Sequence, residues 1–324
     1  MIQEIFLLLY TANVNRFLWY FFVPFLIIFY LGFLVWSYEN YTNKPVYEAI
    51  KNKQQVVNSL EYFDGIILGG SNAWYGLSAK SLGTLSNSTW INLTAPAEGY
   101  SDENYFNFMT NSISYKKRQN VSFIIYSSNS LATKNLKKRN NTSTDLVGKN
   151  KIAYQPQRSL ASYLKDSLGY TKFREYPVEE FGDFGFDNYP CGEFIPTPFK
   201  PREYLNDSDL HEWMAHKIIN LSELFPNAKL IITIPNGFNK NLRQPDDEGR
   251  RKLVEELENI LNKHLQSGKE SIYLTSQSPY PSSDLMCSDN WHANEAGRQW
   301  RTNELYQLIK DQLYIHHGAA DDIN

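Results

Sequence analysis

The chain has 324 residues and a formal net charge of −3, from 32 Lys plus Arg and 35 Asp plus Glu. That length holds one large domain or two small ones with ample core, and the charge balance lacks the basic excess of a typical nucleic-acid binder, so no nucleic-acid partner is expected. A hydrophobic share of 42% with 17 Gly and 14 Pro excludes a collagen-like or wholly disordered chain, and two cysteines are too few for a disulfide scaffold or a Cys-rich zinc module.

A mean hydropathy of −0.47 excludes a polytopic membrane protein, yet the first element is apolar. Phe17 to Trp36 (FLWYFFVPFLIIFYLGFLVW) is a run of twenty residues without a charge. As a helix it spans about 30 Å, the thickness of the hydrocarbon core. Trp19, Tyr20, Tyr30 and Trp36 place aromatic rings toward both ends, as at a membrane interface, and Pro24 and Gly32 are tolerated in such helices. The run is long for a signal sequence and no small-x-small cleavage site follows it. A retained single anchor is therefore expected, against the alternatives of a buried core helix or a cleaved signal peptide. Arg16 precedes the run and Lys44, Lys51 and Lys53 follow it. These charges weakly favour a cytoplasmic C-terminal side, but long domains translocate largely regardless of charge, so the anchor alone leaves the face open.

Residues 38–60 read as a polar neck with a helix around Val46–Leu60. Short apolar runs then alternate with helical patterns. The runs are Gly65–Leu68 (GIIL), Thr89–Leu93 (TWINL), Ser122–Tyr126 (SFIIY), Lys229–Ile234 (KLIITI) and Ser271–Leu274 (SIYL). The helices expected between and after them are Ser101–Lys117, capped by Ser101 with Asp102 and Glu103 in its first turn, then Asp209–Phe225, Asp246–Gln266 and Ala293–Leu313. This alternation predicts an α/β fold with a central parallel sheet covered on both faces. Residues 131–207 break the rhythm, starting basic (KNLKKRNNTSTD) and becoming aromatic and glycine-rich (FGDFGFDNYPCGEF). They read as a surface insertion, or as a lid or acceptor-binding flap. The expected organisation is 1–37 for the N-terminal segment and anchor (span about 17–36), 38–60 for the neck, 61–315 for the catalytic domain with its insertion at about 131–207, and 316–324 for the tail.

Four places carry candidate chemistry. The first strand runs into Gly69-Gly70-Ser71-Asn72-Ala73, where a helical pattern begins. A serine at such a turn exposes its hydroxyl beside the free N–H groups of the helix start, which suit an oxyanion, and Gly69 and Gly70 allow a tight turn. Gly-Gly-Ser is equally common in ordinary loops. Near the C-terminus, Asp289 and His292 stand three apart before a helix. A carboxylate so placed can hold the imidazole N–H and leave the other nitrogen as a base, although Asp289 or Asn290 could simply cap the helix. The second strand leads into Asn92-Leu93-Thr94-Ala95-Pro96-Ala97-Glu98-Gly99 and the third into Ser127-Ser128-Asn129-Ser130. An Asn amide and a loop N–H from these would complete an oxyanion site, or both are turn residues.

Taken in order, these blocks resemble the SGNH hydrolases, the GDSL-type esterase and acyltransferase superfamily, over about residues 62–312. The resemblance implies a flavodoxin-like three-layer sandwich with Ser71 as nucleophile, Asp289 and His292 as the other catalytic residues, and Asn129, Gly70 and the Ala97 to Gly99 loop at the oxyanion. Gly70 stands where GDS-type members have Asp. Ala97 falls at the oxyanion glycine by its spacing from Asn92, with Gly99 two residues later. Ser127 and Ser130 replace a Gly and an Asp of the third block.

The implied chemistry is double displacement through an acyl-Ser71 intermediate. An N-terminal anchor on such a domain looks like proteins that O-acetylate or O-acylate surface polysaccharides. The expected function is thus a membrane-anchored serine acyltransferase facing the extracytoplasmic side. Its partners would be the lipid bilayer, a polysaccharide acceptor and a multispanning acyltransferase that delivers an acyl group such as acetyl; no bound cofactor is expected. The alternatives are an anchored carbohydrate esterase or lipase using the same residues, and a non-catalytic polysaccharide-binding or assembly subunit. Trp74 and Trp291 flank the proposed nucleophile and base and could wall a pocket or pack in the core. Cys191 and Cys287 could pair in an oxidising compartment, tying the insertion to the histidine loop. Sequons at Asn40, Asn92 and Asn206 matter only in a glycosylating pathway. His316 and His317 have no matching ligands, so no metal is expected.

Overall fold

The structure is a computed structural model. It describes residues 19–20, 23–94, 112–127, 177–187, 191, 215, 218–234, 255–259, 261–262, 272–276, 282–287 and 292–317. The chain divides into two compact units, Met1–Pro45 with Ala153–Arg174, and Val46–Ile152 with Glu175–Asn324.

In the first unit the described residues belong mainly to helix α1 (Val23–Ser59), which continues into the second unit. The neck expected at 38–60 is thus helical to Ser59, and Pro45 lies inside the helix; proline withholds one backbone donor there without ending it. Phe25 to Leu31 are between 47 and 68% exposed. These consecutive positions cover about two turns, so the helix is apolar and uncovered all round here. Among the described residues no helix is long and apolar enough to cross a membrane. Residues 17, 18, 21 and 22 of the expected span lie outside the described residues.

The second unit is built on five parallel strands, β1 (Gly65–Gly69), β2 (Trp90–Asn92), β3 (Phe123–Ser127), β4 (Lys229–Ile234) and β5 (Ile272–Ser276), in the order β2-β1-β3-β4-β5. All five coincide with the apolar runs to within two residues at either end. Neighbouring residues such as Ile66 and Ile67, or Ile124 and Ile125, point to opposite faces and are all fully buried, so both faces of the sheet are covered. Register sets Gly65 opposite Trp90 and Phe123, and Gly69 opposite Ser127. This strand order reverses direction beside β1, and doubly wound sheets bind their ligands beyond the carboxyl ends of the strands at that point.

Helices α2 (Ser71–Gly76), α3 (Ala79–Ser86) and, at the C-terminus, α5 (Glu295–His317) pack together on one face through Ala73, Leu77, Leu82, Leu305 and Ile309 with Ile67, Ile125 and Ile231. Between β2 and β3 comes α4 (Tyr115–Asn120), capped by Ser114. Tyr115 and Lys117 belong to this short, separately capped helix. The part of the expected 101–117 helix up to residue 111 lies outside the described residues.

Residues 177–187, expected in a surface insertion or flap, are partly core. Asp183 is buried and accepts from Ser78 Oγ (2.7 Å), Ala79 N (2.7 Å) and Lys80 N (3.1 Å), so its carboxylate caps α3. It also accepts from Asn92 Nδ2 at 3.1 Å. On the other side of Asn92, the buried Lys53 Nζ donates to the Asn92 carbonyl (2.8 Å) and lies 4.2 Å from the centre of the Trp74 ring. Burial pushes the Lys53 ammonium well below its ordinary 10.5, with partial opposition from the Asp183 charge.

Because the folded-state value lies below the unfolded one, the unfolded chain binds more protons between the two, and stability rises with pH across that interval up to 10.5. Lys53→Met is expected to flatten this alkaline rise, as measured by urea unfolding at a series of pH values.

Candidate active site

Strand β1 ends at Gly69, whose φ is +141°. A Cβ there would stand 1.8 Å from the Ser127 carbonyl oxygen on β3. Only glycine meets both conditions, the backbone region and the missing side chain. Gly70 follows in extended geometry as the N-cap of α2, and its carbonyl accepts from Ala73 N (3.0 Å) and Trp74 N (3.1 Å). Ser71 is therefore the first residue of the helix, at the carboxyl edge of the sheet, where its own N–H has no carbonyl of the helix to serve.

His292 comes from the far end of the chain, and its Nε2 lies 2.9 Å from Ser71 Oγ. Its loop is tied down locally. The Cys287 N–H donates to the His292 carbonyl at 2.7 Å, and Met286 and Ala293 form an antiparallel bridge. Cys287 is disulfide-bonded to Cys191, with Cα atoms 4.8 Å apart. Asn294 Nδ2 donates to the Asp284 carbonyl at 2.6 Å, while Asn294 Oδ1 accepts from Gly297 N at 2.9 Å. Asn294 thus caps α5, which starts at Glu295 rather than at the expected Ala293.

The imidazole leans on Tyr75, with ring centres 4.4 Å apart. Tyr75 stacks on Phe184 at 4.1 Å, and Phe184 meets Trp74 edge-on at 5.3 Å and Phe186 at 5.0 Å. Trp74 is fully buried in this aromatic cluster, so it supports the site from the core and does not wall a pocket.

Of the residues expected at the site, the structure brings Ser71 and His292 together, with Gly70 as the helix cap. Asp289, Asn129, Ala97, Gly99 and Trp291 lie outside the described residues. Ser127 ends β3, and Thr94 N donates to Asn92 Oδ1 (3.1 Å) beyond β2. Tyr75, Phe184 and Asn294 were not singled out from the sequence. Only Asn294 carried a signal, an Asn directly before a helical Glu-Ala pattern; Tyr75 and Phe184 depend on contacts across more than a hundred residues. Among the described residues no cluster of His, Cys, Asp and Glu has the make-up of a metal site.

A hydroxyl in hydrogen-bond reach of an imidazole nitrogen, at a helix start, is the arrangement of an activated nucleophile with its base. No protein-family model matches the chain, and no curated protein matches it. Among solved structures it is similar to a family two carbohydrate esterase from Clostridium thermocellum in complex with cellohexaose (13% identity, TM-score 0.37), covering 78% of this chain and 66% of that one. It is also similar to the acetyl xylan esterase Est2A from Butyrivibrio proteoclasticus (10% identity, TM-score 0.41), covering 77% of this chain and 64% of that one. The chain thus spans slightly less than two thirds of the length of each.

Replacing both cysteines, as Cys191→Ser with Cys287→Ser, is expected to lower stability by about 2–4 kcal/mol. Chemical denaturation without reductant measures it.

Proposed function

We propose that the chain is a serine-dependent acyl-transfer enzyme of the SGNH type. The observation that carries this is the 2.9 Å approach of His292 Nε2 to Ser71 Oγ at the start of α2. His292 takes the hydroxyl proton as Ser71 Oγ attacks the carbonyl carbon of an ester. The carbonyl oxygen becomes an oxyanion, and the Ser71 N–H is one donor to it. The C–O bond to the leaving alcohol then breaks, with His292 returning the proton to that alcohol. A second hydroxyl, from an acceptor or from water, repeats the sequence on the acyl-Ser71 ester with His292 again as base. In this reading Asp289 orients the imidazole, and Asn129 with an N–H from the Ala97 to Gly99 loop completes the oxyanion site.

We further propose that the acceptor is a hydroxyl of a cell-surface or exported polysaccharide, and that residues 17–36 anchor the domain in a membrane with the site outside the cytoplasm. The acyl donor in this reading is supplied by a multispanning acyltransferase. Two observations support the location. A disulfide persists in an oxidising compartment, and the apolar surface of α1 from Phe25 to Leu31 is exposed and chemically suited to lipid.

A fluorophosphonate probe is expected to label Ser71, identified by peptide mass. Ser71→Ala and His292→Ala are expected to lose about 10⁴- to 10⁶-fold in turnover of an acyl ester. Wild-type turnover by folded Ser71→Ala would place the nucleophile elsewhere. Adding candidate oligosaccharides to the same assay separates the acceptors: acylated sugar marks a transferase, free acid alone an esterase.

A further inference from the structure

We propose that Arg301 is a positioning residue that holds the nucleophile turn against the end of β3; this rests on the serine reading above. Arg301 lies on α5, the helix that begins three residues after His292, and it is only 2% exposed. Its Nη1 donates to the Asn72 carbonyl (2.8 Å) and to Asn72 Oδ1 (2.6 Å), and its Nη2 donates to Ser127 Oγ (2.8 Å). Asn72 directly follows the nucleophile, and Ser127 is the residue whose carbonyl oxygen presses on Gly69. One guanidinium therefore bridges the two segments on either side of the Gly69 contact.

The sequence makes room for it. Gly76 ends α2 one turn after Asn72, and a Cβ at Gly76 would lie 2.3 Å from Arg301 Nη1. Any side chain there would displace the guanidinium. A rigid planar fork is also the feature that allows three acceptors on two separate segments to be held at once; a lysine ammonium on a flexible stem lacks it.

The consequence for chemistry follows from where the fork sits. Arg301 and His292 belong to the same stretch of chain, so docking of α5 sets the base against Ser71 and the fork against the residue after it. Arg301 thereby restricts how far the Ser71 turn can shift relative to the imidazole. A misplacement of about 1 Å at reacting atoms costs about 10²-fold in rate. Arg301 acts through Asn72 and Ser127, so its loss should lower the rate of the covalent step and leave substrate affinity nearly unchanged.

The test uses the full chain and a fluorophosphonate probe, with ester turnover and thermal unfolding measured on the same samples. Arg301→Lys is expected to slow labelling of Ser71 about 10- to 100-fold, with kcat falling in step and KM changing less than about threefold. Ser127→Ala removes one acceptor of the fork and is expected to give a smaller fall, about three- to tenfold, in a folded protein. Wild-type labelling rates in both folded variants overturn the proposal, as does a loss carried by KM. Where Arg301→Lys does not fold, Ser127→Ala decides, and an unchanged rate overturns the proposal. Absence of Ser71 labelling in the wild-type chain fells the serine reading itself, and this proposal with it.

Discussion

No side chain fits at Gly69. A methyl group there would stand 1.8 Å from the Ser127 carbonyl oxygen, and the φ of +141° is one that other residues rarely adopt. This contact brings the end of β1 directly against the end of β3, so the chain leaves the sheet in a tight turn and starts α2 at once. Ser71 is thereby held at the carboxyl edge of the sheet, beside the point where the strand order reverses. The rest of the site is arranged around that turn: Arg301 spans its two sides, and α5 closes over it with His292 at its base.

Placement of His292 is over-determined. The hydrogen bond from Cys287, the bridge of Met286 to Ala293, the disulfide and the Asn294 cap all act on one short loop. From the side, Tyr75 and Phe184 support the imidazole ring. For the proposed serine chemistry this restraint matters, because a hydrogen-bond distance between a nucleophile and its base has value only if it persists. Phe184 comes from the same segment as Asp183, which caps α3 and bonds to Asn92. A short stretch with no regular pattern thus supports the histidine through one residue and the end of β2 through its neighbour.

The buried polar groups follow one logic. Lys53, Asn92 and Asp183 form a connected chain in the core, with Ser78 and the first N–H groups of α3 as further partners. Taking a cation and a carboxylate from water is unfavourable unless each is hydrogen-bonded, and both are. The displaced titration of Lys53 is the residue of that desolvation.

The sequence by itself determined the parallel sheet, because buried central strands must be short, apolar and continuous, and runs such as GIIL, SFIIY and KLIITI meet that requirement locally. It marked Ser71 and His292 only jointly, because each local pattern is common in ordinary loops and it is the order of the blocks along the chain that resembles the SGNH hydrolases. Only the tertiary structure decided that these two meet across 221 residues at 2.9 Å. It alone turned Trp74 into core and made part of the irregular 131–207 stretch a structural element. Tyr75, Phe184 and Arg301 left no local trace for the same reason. Their roles come from partners distant in the chain, and side-chain periodicity reports burial, not which distant group a buried side chain touches.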